Sequence, residues 1–330
     1  AELFAPGDMI RVRRSDEGAW HLGQVPLAQA ALVSLDPDNG AILSIVGGLE
    51  FDQSKFNRAT QSKRQPGSNF KPFLYAAALN EGFTAASIIN DAPVVVDDRS
   101  LETIWRPEND GGRFYGPTRL RLALTKSRNL VSIRLLQQLG VRNLIDYIDG
   151  LGFDTSALAP DLSLALGTLS ISPLELATRY AVLANGGYRV EPYLIERVVN
   201  AAGEAVFEAR PPTVCRDCPD PDALVLPEAL TATMETGETT DGTAGETADQ
   251  IDTRSDSEPL PTAPRVMEAR INFIVDSILQ DVITRGTGRR ARVLERSDLA
   301  GKTGTTNGPM DAWFSGYNRD VVTTTWIGFD

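Results

Sequence analysis

The segment Gln65-Pro66-Gly67-Ser68-Asn69-Phe70-Lys71-Pro72 sets a hydroxyl and an amine three residues apart at the start of an apolar run. In a helix, residues three apart lie one above the other on one face. That spacing can bring the Lys71 amine to the Ser68 hydroxyl, and a base beside a weak hydroxyl nucleophile activates it. Taken alone, S-x-x-K is a common combination, and a cap serine beside a solvated lysine is its commoner explanation. Pro72 adds a constraint: it has no N–H to give the carbonyl of Ser68. Ser68 is therefore expected at the first helical turn, where free N–H groups and the helix dipole favour a developing negative charge.

Other chemistry-bearing residues are few. His21 is the single histidine, so a histidine-based triad has one candidate, away from any polar cluster. Cys215 and Cys218, with one histidine in the chain, do not readily make a four-ligand zinc site. Pro211, Pro212 and Pro219 around them indicate a loop rather than the helix start of a redox motif. A local disulfide in an oxidising compartment and a pair of free loop thiols both fit. Gly286-Thr287-Gly288 follows a helix and lacks a G-K-[ST] ending, so it is a turn rather than a phosphate loop. A net charge of −12 argues against a nucleic-acid partner, which needs a basic face. Half of that charge is local, from seven acids and one arginine between Glu238 and Glu258. No run approaches the ~20 apolar residues that span a bilayer. No signal peptide opens the chain, which is read as a mature product or an excised piece.

The elements that must position these residues follow from patterning. At 330 residues and 42% hydrophobic content, the chain suits one large domain plus an appendage. Residues 1–26 are expected to be the remnant of a small β module (OB-like or a linker), since so small a hairpin does not stand alone. Residues 27–330 are expected to form the main domain. Strands over 30–35 and 41–46 flank Asp36-Pro37-Asp38-Asn39-Gly40, a tight reversal. Phe70, Phe73, Leu74, Ala77 and Ala78 follow the i, i+3, i+4, i+7, i+8 spacing of a helix with one buried stripe. Residues 83–118, rich in turn formers, should be a long wrapping connection. Helices are expected over 120–125, 130–137, 141–150, 174–185 and 268–285. Strand-like segments follow at 193–200 and 205–208, and three more at 299–305, 312–317 and 321–329. Residues 211–264 shift to Thr, Glu, Asp, Gly and Pro, the composition of a mobile acidic insertion. The chain stops just after a β-rich run and is read as cut inside its last sheet.

Three short motifs stand in order: Ser68-x-x-Lys71, Ser127-Arg128-Asn129 and Lys302-Thr303-Gly304. S-x-x-K, S-D-N and K-T-G together mark penicillin-binding proteins and serine β-lactamases. From residue 32 to 329 the chain resembles the transpeptidase part of class A, bifunctional penicillin-binding proteins. NFKPF at 69–73, SRNLVS at 127–132, LALGTLSISPLEL at 164–176, GTGRRA at 286–291, and KTGTTN with DAWFSGY between 301 and 317 carry the resemblance further.

That resemblance implies an α+β fold of the serine β-lactamase/transpeptidase type. Its parts would be a five-stranded antiparallel sheet with helices on both faces, and an all-α subdomain. It also implies the reaction: a peptidoglycan stem peptide ending D-Ala-D-Ala acylates Ser68, D-Ala leaves, and an amine of a neighbouring stem attacks. β-Lactams would mimic the donor and trap the acyl-enzyme, with no metal or cofactor needed. The parent protein would carry an anchor and a glycosyltransferase domain outside this chain. It would work on the periplasmic side of the bacterial inner membrane, with other cell-wall synthesis proteins as further partners. Ser-Arg-Asn in place of Ser-Asp-Asn favours the synthase branch over the β-lactamases.

Roles can be argued beside the resemblance. Ser68 is the nucleophile and Lys71 the base, its charged form disfavoured by burial and by Lys302 as a second cation. Ser127 can relay a proton between Lys71 or Lys302 and the leaving amine; Asn129 can bind a substrate amide and hold the Lys71 amine. On a strand, Thr303 and Thr305 share one face and Lys302 points to the other. The threonines suit a substrate carboxylate, and Gly304 leaves room for a peptide to add as a strand. The oxyanion hole is expected from the N–H groups of Ser68 and Thr305. The rivals are a serine β-lactamase using Glu175, a DD-carboxypeptidase with water as acceptor, and a non-enzymatic β-lactam sensor domain. Glu175 reads better as a first-turn acid favoured by the helix dipole.

Overall fold

Ala31, Val33 and Leu35 occupy every second position of a strand and are fully buried, as a pleated ribbon with one face on the core requires. In a computed structural model, which describes residues 4–24, 26–52, 54–95, 105–216, 218, 260–306 and 310–330, this is one of five strands in an antiparallel sheet. The strands are β3 (Gln29–Leu35), β4 (Ile42–Val46), β9 (Ala300–Thr305), β10 (Asp311–Tyr317) and β11 (Val322–Gly328), in the order β4-β3-β11-β10-β9. Leu35 pairs with Val322 and Ala31 with Trp326, so the two ends of the chain meet at the sheet centre. β9 is left as an edge. A five-stranded antiparallel sheet with helices is the architecture that the resemblance implies.

Helix α5 (Pro173–Ala184) packs on β3, β10 and β11, and the long helix α6 (Ala269–Arg285) packs on β9. Tyr317 donates to Asp276 of α6 at 3.0 Å, which ties that helix to the face bearing Trp313 and Ser315. The opposite face carries Phe314 and Ile327 and is more open; Ile327 is 52% exposed. Helices α1 (Lys71–Asn80), α2 (Leu120–Thr125), α3 (Asn129–Leu139) and α4 (Val141–Gly150) form the helical part. Phe73 is its hub, stacking edge-on against Phe153 and Tyr180 with ring centroids 4.9 and 5.5 Å apart. The stripe expected on α1 is buried, but so is the rest of the helix from Lys71 to Ala78. It is a central helix enclosed on all sides, and Lys71 is carried into the core with it.

Three expectations need correction. Residues 83–118 contain a hairpin, β5 (Ile88–Asp91) with β6 (Gly116–Arg119). The strand expected over 193–200 is shorter, β7 (Arg197–Val199), paired with β8 (Ala205–Glu208); Tyr193 instead bridges Ala41. Most of the acidic insertion, 219–259, lies outside the described residues, but its ends at 211–216 and 260–264 belong to the core. Thr213 and Thr262 bridge, Val214 donates to the Asp38 carbonyl at 2.8 Å, and Val214 and Ala263 are buried. Beside them Cys215 and Cys218 are joined as a disulfide, and Arg216 pairs with Asp38.

Near the N-terminus, β1 (Arg11–Arg14) and β2 (Trp20–Gly23) make a hairpin whose residues are almost all exposed. Among the described residues no helix is long and apolar enough to cross a membrane.

Candidate active site

Ser68 sits in a 3₁₀ turn, Gly67–Phe70, that leads into α1; the expected first α-turn is tightened. Gly67 holds φ +55°, and a Cβ there would lie 2.3 Å from the Thr305 carbonyl oxygen. A Cβ on Gly304 would lie 2.3 Å from the Pro66 carbonyl oxygen. Two glycines thus let the serine turn and the edge strand touch backbone to backbone. Buried polar contacts pin the turn: Tyr180 donates to the Asn69 carbonyl at 2.8 Å and the Trp313 indole to the Gln65 carbonyl at 2.9 Å.

Lys71 is fully buried. Its Nζ donates to the Ser127 carbonyl at 2.9 Å, to Asn129 Oδ1 at 2.7 Å and, more weakly, to Ser127 Oγ at 3.4 Å. Among the described residues no hydrogen bond joins it to Ser68 Oγ. Lys302, also fully buried, donates to Ser127 Oγ and to the Thr303 carbonyl, each at 2.9 Å. One serine hydroxyl therefore lies between two amines. Ser127 reaches that place with φ +57°, a left-handed conformation rare for a residue with a Cβ. Such strain persists only where the surroundings hold it. Here the Leu124 carbonyl accepts from the Ser127 N–H and Lys71 grips its carbonyl.

Burial, and secondarily the Lys302 charge, hold the Lys71 amine well below the ordinary lysine range. Burial pushes Lys302 down to about 7. The neutral form of Lys302 is thus within reach near neutral pH, and burial favours that of Lys71 in the same direction.

The residues expected at the site come together at one cleft of about 790 Å³. Ser68, Ser127, Asn129, Thr303 and Thr305 line it, while Lys71, Lys302 and Gly304 lie buried beneath. Thr303 also shares a hydrogen bond of 2.7 Å with Thr287 of the Gly-Thr-Gly turn. The β9–β10 ladder pairs Thr306 with Asp311 through the Thr306 N–H. Since hydrogen-bonded pairs alternate along an antiparallel ladder, the N–H groups of Thr303 and Thr305 point off the open edge.

Sequence patterning missed the opposite wall. Residues 105–112 line the cleft, and Asn109 and Asp91 are buried behind Asn129. Their setting, Pro107-Glu108-Asn109-Asp110-Gly111-Gly112, reads simply as turns. Glu175 caps α5: its carboxylate accepts from the Ser172 N–H at 2.8 Å, its own N–H donates to Ser172 Oγ at 3.2 Å, and Lys63 pairs with it. It is not among the residues lining the cleft. Among the described residues no group of three His, Cys, Asp or Glu side chains could hold a metal ion.

A family model described as the penicillin binding protein transpeptidase domain matches residues 30–329. Penicillin-binding protein 1A of Pseudomonas aeruginosa is 51% identical over 338 residues, covering 100% of this chain and 40% of that protein. Its counterpart in Escherichia coli is 40% identical over 352 residues, covering 100% and 41%. The crystal structure of penicillin-binding protein 1A from Haemophilus influenzae matches with a TM-score of 0.82 at 39% identity, over 97% of this chain and 46% of that one. The chain spans about two fifths of the length of the curated relatives it matches. Matched by one family model over nearly its whole length, the chain belongs to the penicillin-binding protein transpeptidase domain family.

Proposed function

We propose that this chain is a D,D-transpeptidase that cross-links peptidoglycan stem peptides through an acyl-enzyme on Ser68 and is inhibited covalently by β-lactams. The observation that carries this reading is the pair of buried lysines converging on Ser127 Oγ beside the serine turn. In the first step Ser68 Oγ attacks the carbonyl of the penultimate D-Ala and gives its proton to neutral Lys71. The oxyanion rests on the N–H groups of Ser68 and Thr305, a pair supported by the open edge of β9 and the Gly67–Gly304 approach. The tetrahedral intermediate collapses with cleavage of the peptide bond, and the leaving D-Ala nitrogen takes up that proton through Ser127. A stem-peptide amine then attacks the ester, loses a proton by the reverse route, and releases Ser68 with a new amide bond. Thr303 and Thr305 hold the donor carboxylate, Asn129 a donor amide, and Lys302 supplies positive field.

On the same reading the longer protein acts on the periplasmic side of the inner membrane, anchored there, alongside other cell-wall synthesis proteins. The disulfide between Cys215 and Cys218 fits such an oxidising compartment. The capping role of Glu175 weighs against a β-lactamase, which needs a base poised over the acyl bond.

The test is a synthetic stem peptide ending D-Ala-D-Ala, offered with and without an amine acceptor, with intact mass followed after penicillin. Expected are D-Ala release, an amide product with the acceptor, and a penicilloyl adduct on Ser68 that persists. Ser68→Ala should take no label. Labelling of that variant would remove Ser68 as nucleophile; hydrolysis alone despite the amine would make the chain a carboxypeptidase. An adduct cleared within seconds would indicate a β-lactamase, and an adduct without D-Ala release a sensor.

A further inference from the structure

Helix α3 begins at Asn129 without a cap of its own. Its N-cap residue, Arg128, makes no side-chain capping bond, although the first N–H groups of a helix need acceptors. The acceptor comes from twenty residues upstream. Asn109 Oδ1 takes the N–H of Asn129 at 2.8 Å and that of Leu130 at 3.3 Å. Asn109 is 4% exposed, and its amide orientation is forced from behind. Its Nδ2 donates to Asp91 Oδ1 at 2.7 Å and to the Arg113 carbonyl at 2.8 Å, and a backbone carbonyl can only accept.

The Asp91 side chain is fully buried at the end of β5, and its Oδ2 accepts no hydrogen bond. Arg128, the middle residue of Ser-Arg-Asn, faces it with Nε 4.0 Å away and lies over the Tyr115 ring, 3.2 Å from its centroid. The neighbouring Glu108 carbonyl accepts from Asn129 Nδ2 at 2.8 Å. With its backbone N–H and its side-chain nitrogen both engaged by the 105–113 wall, Asn129 has one free direction for Oδ1. That direction is toward Lys71 Nζ, at 2.7 Å.

We propose that Asn109, oriented by the buried Asp91 carboxylate, is a positioning residue for acyl transfer. It caps α3 from a distance and so fixes Asn129 against Lys71. The proposal rests on the Ser68 reading above and adds to it a function for the β5–β6 hairpin and the turn-rich wall. Packing alone would not require Asn109's polarity, because a leucine has the same branched outline, although a larger volume. An acceptor for two N–H groups and a donor to Asp91 are what the site uses.

The test measures the second-order rate of acylation by a fluorescent penicillin, with thermal melting alongside. Asn109→Leu should acylate about tenfold to a hundredfold more slowly, the range a misplaced catalytic group produces. Asn109→Asp alone, which sets two carboxylates against each other, should be similarly slow. The exchange variant, Asp91→Asn with Asn109→Asp, restores one donor between the pair and keeps the acceptor for α3. The Arg113 carbonyl loses its donor, so recovery is partial: the exchange variant should acylate about threefold or more faster than Asn109→Asp, a gain no packing role would give. An Asn109→Leu rate equal to wild type, or an exchange variant no faster than Asn109→Asp, overturns the proposal. If the variants fail to fold, hydrogen exchange of the unmodified chain decides. The Asn129 and Leu130 amides should be protected, and exchange at the rate of an uncapped first turn overturns the proposal. Acylation of the unmodified chain elsewhere than at Ser68 would instead refute the nucleophile and leave the cap to be judged by exchange.

Discussion

Ser127 Oγ accepts from two amines that are both fully buried, and among the described residues no carboxylate is a hydrogen-bond partner of either. Burial disfavours the first ammonium, and a second one beside it disfavours both. The site therefore favours a state in which one amine has lost its proton. Lys71, held well below the ordinary range by burial and by the Lys302 charge, is the amine suited to take the Ser68 proton. The sign of a perturbation follows. Lys302→Met removes the repelling cation, so the Lys71 ammonium is easier to form and its pKa rises. The acid limb of the acylation rate should then move to higher pH than in the unmodified chain. On the proposed reading the height of the profile will fall as well, because Lys302 there also supplies field to the carboxylate site. The position of the limb is thus the diagnostic, read from penicillin acylation rates across weakly acidic to alkaline pH. A limb that stays in place would show that Lys302 does not set the protonation of Lys71.

At the scale of elements, the site exists because a 3₁₀ turn and a sheet edge touch at Gly67 and Gly304. Gly304→Ala would put a Cβ 2.3 Å from the Pro66 oxygen, and backbone on both sides leaves nothing soft to yield. The strand must draw away from the turn, taking the Thr305 N–H with it. On the proposed reading that N–H is an oxyanion donor, whose loss typically costs about 10²–10³ in rate, so acylation by Gly304→Ala should fall by that order with the fold retained. Near-wild-type acylation, with circular dichroism unchanged, would mean that this spacing does not set the rate. The same contact explains what was legible beforehand. Ser68, Lys71, Ser127, Asn129 and Lys302 stand in short motifs at element boundaries, where residue type and order carry the signal. Enclosure of α1 on all sides was not legible, because a stripe reports one packed face and says nothing of what covers the other. β6 was hidden by its own residues: Gly116-Pro117-Thr118-Arg119 reads as a turn, since glycine and proline weaken a strand. Asn109 was hidden more deeply, because no periodicity links a turn residue to a helix start twenty positions on. The ends of the acidic insertion were missed for a related reason. Composition locates the tract, whereas the bridge between Thr213 and Thr262 depends on what lies beside them in space.

For the molecule as a whole, two buried amines in the core are a liability that the site imposes on the fold. In the unfolded chain a lysine titrates near ~10.4. In the folded chain Lys302 is pushed down to about 7, and Lys71 well below its ordinary value. Between those limits the unfolded state binds more protons than the folded one, so stability rises with pH. Burial also holds Tyr75, Tyr180 and Tyr317 above the ordinary tyrosine range. For them the sign reverses: above about pH 10 the unfolded state loses protons first, and stability falls. The two effects together set the maximum of stability on the alkaline side of neutral. The melting temperature should rise between about pH 7 and about pH 10 and decline beyond. Replacing both lysines by methionine, an apolar side chain of similar length, removes the desolvation cost at the expense of the chemistry. That double variant should melt higher at neutral pH and lose most of the upward slope, while taking no penicillin label. A melting temperature that is flat or falling from neutral to alkaline pH, or a double variant with the slope intact, would mean that the two amines stay as well hydrated in the folded chain as in the unfolded one. Lys71 would then have no access to its neutral form near neutral pH, and the activation of Ser68 would need another base.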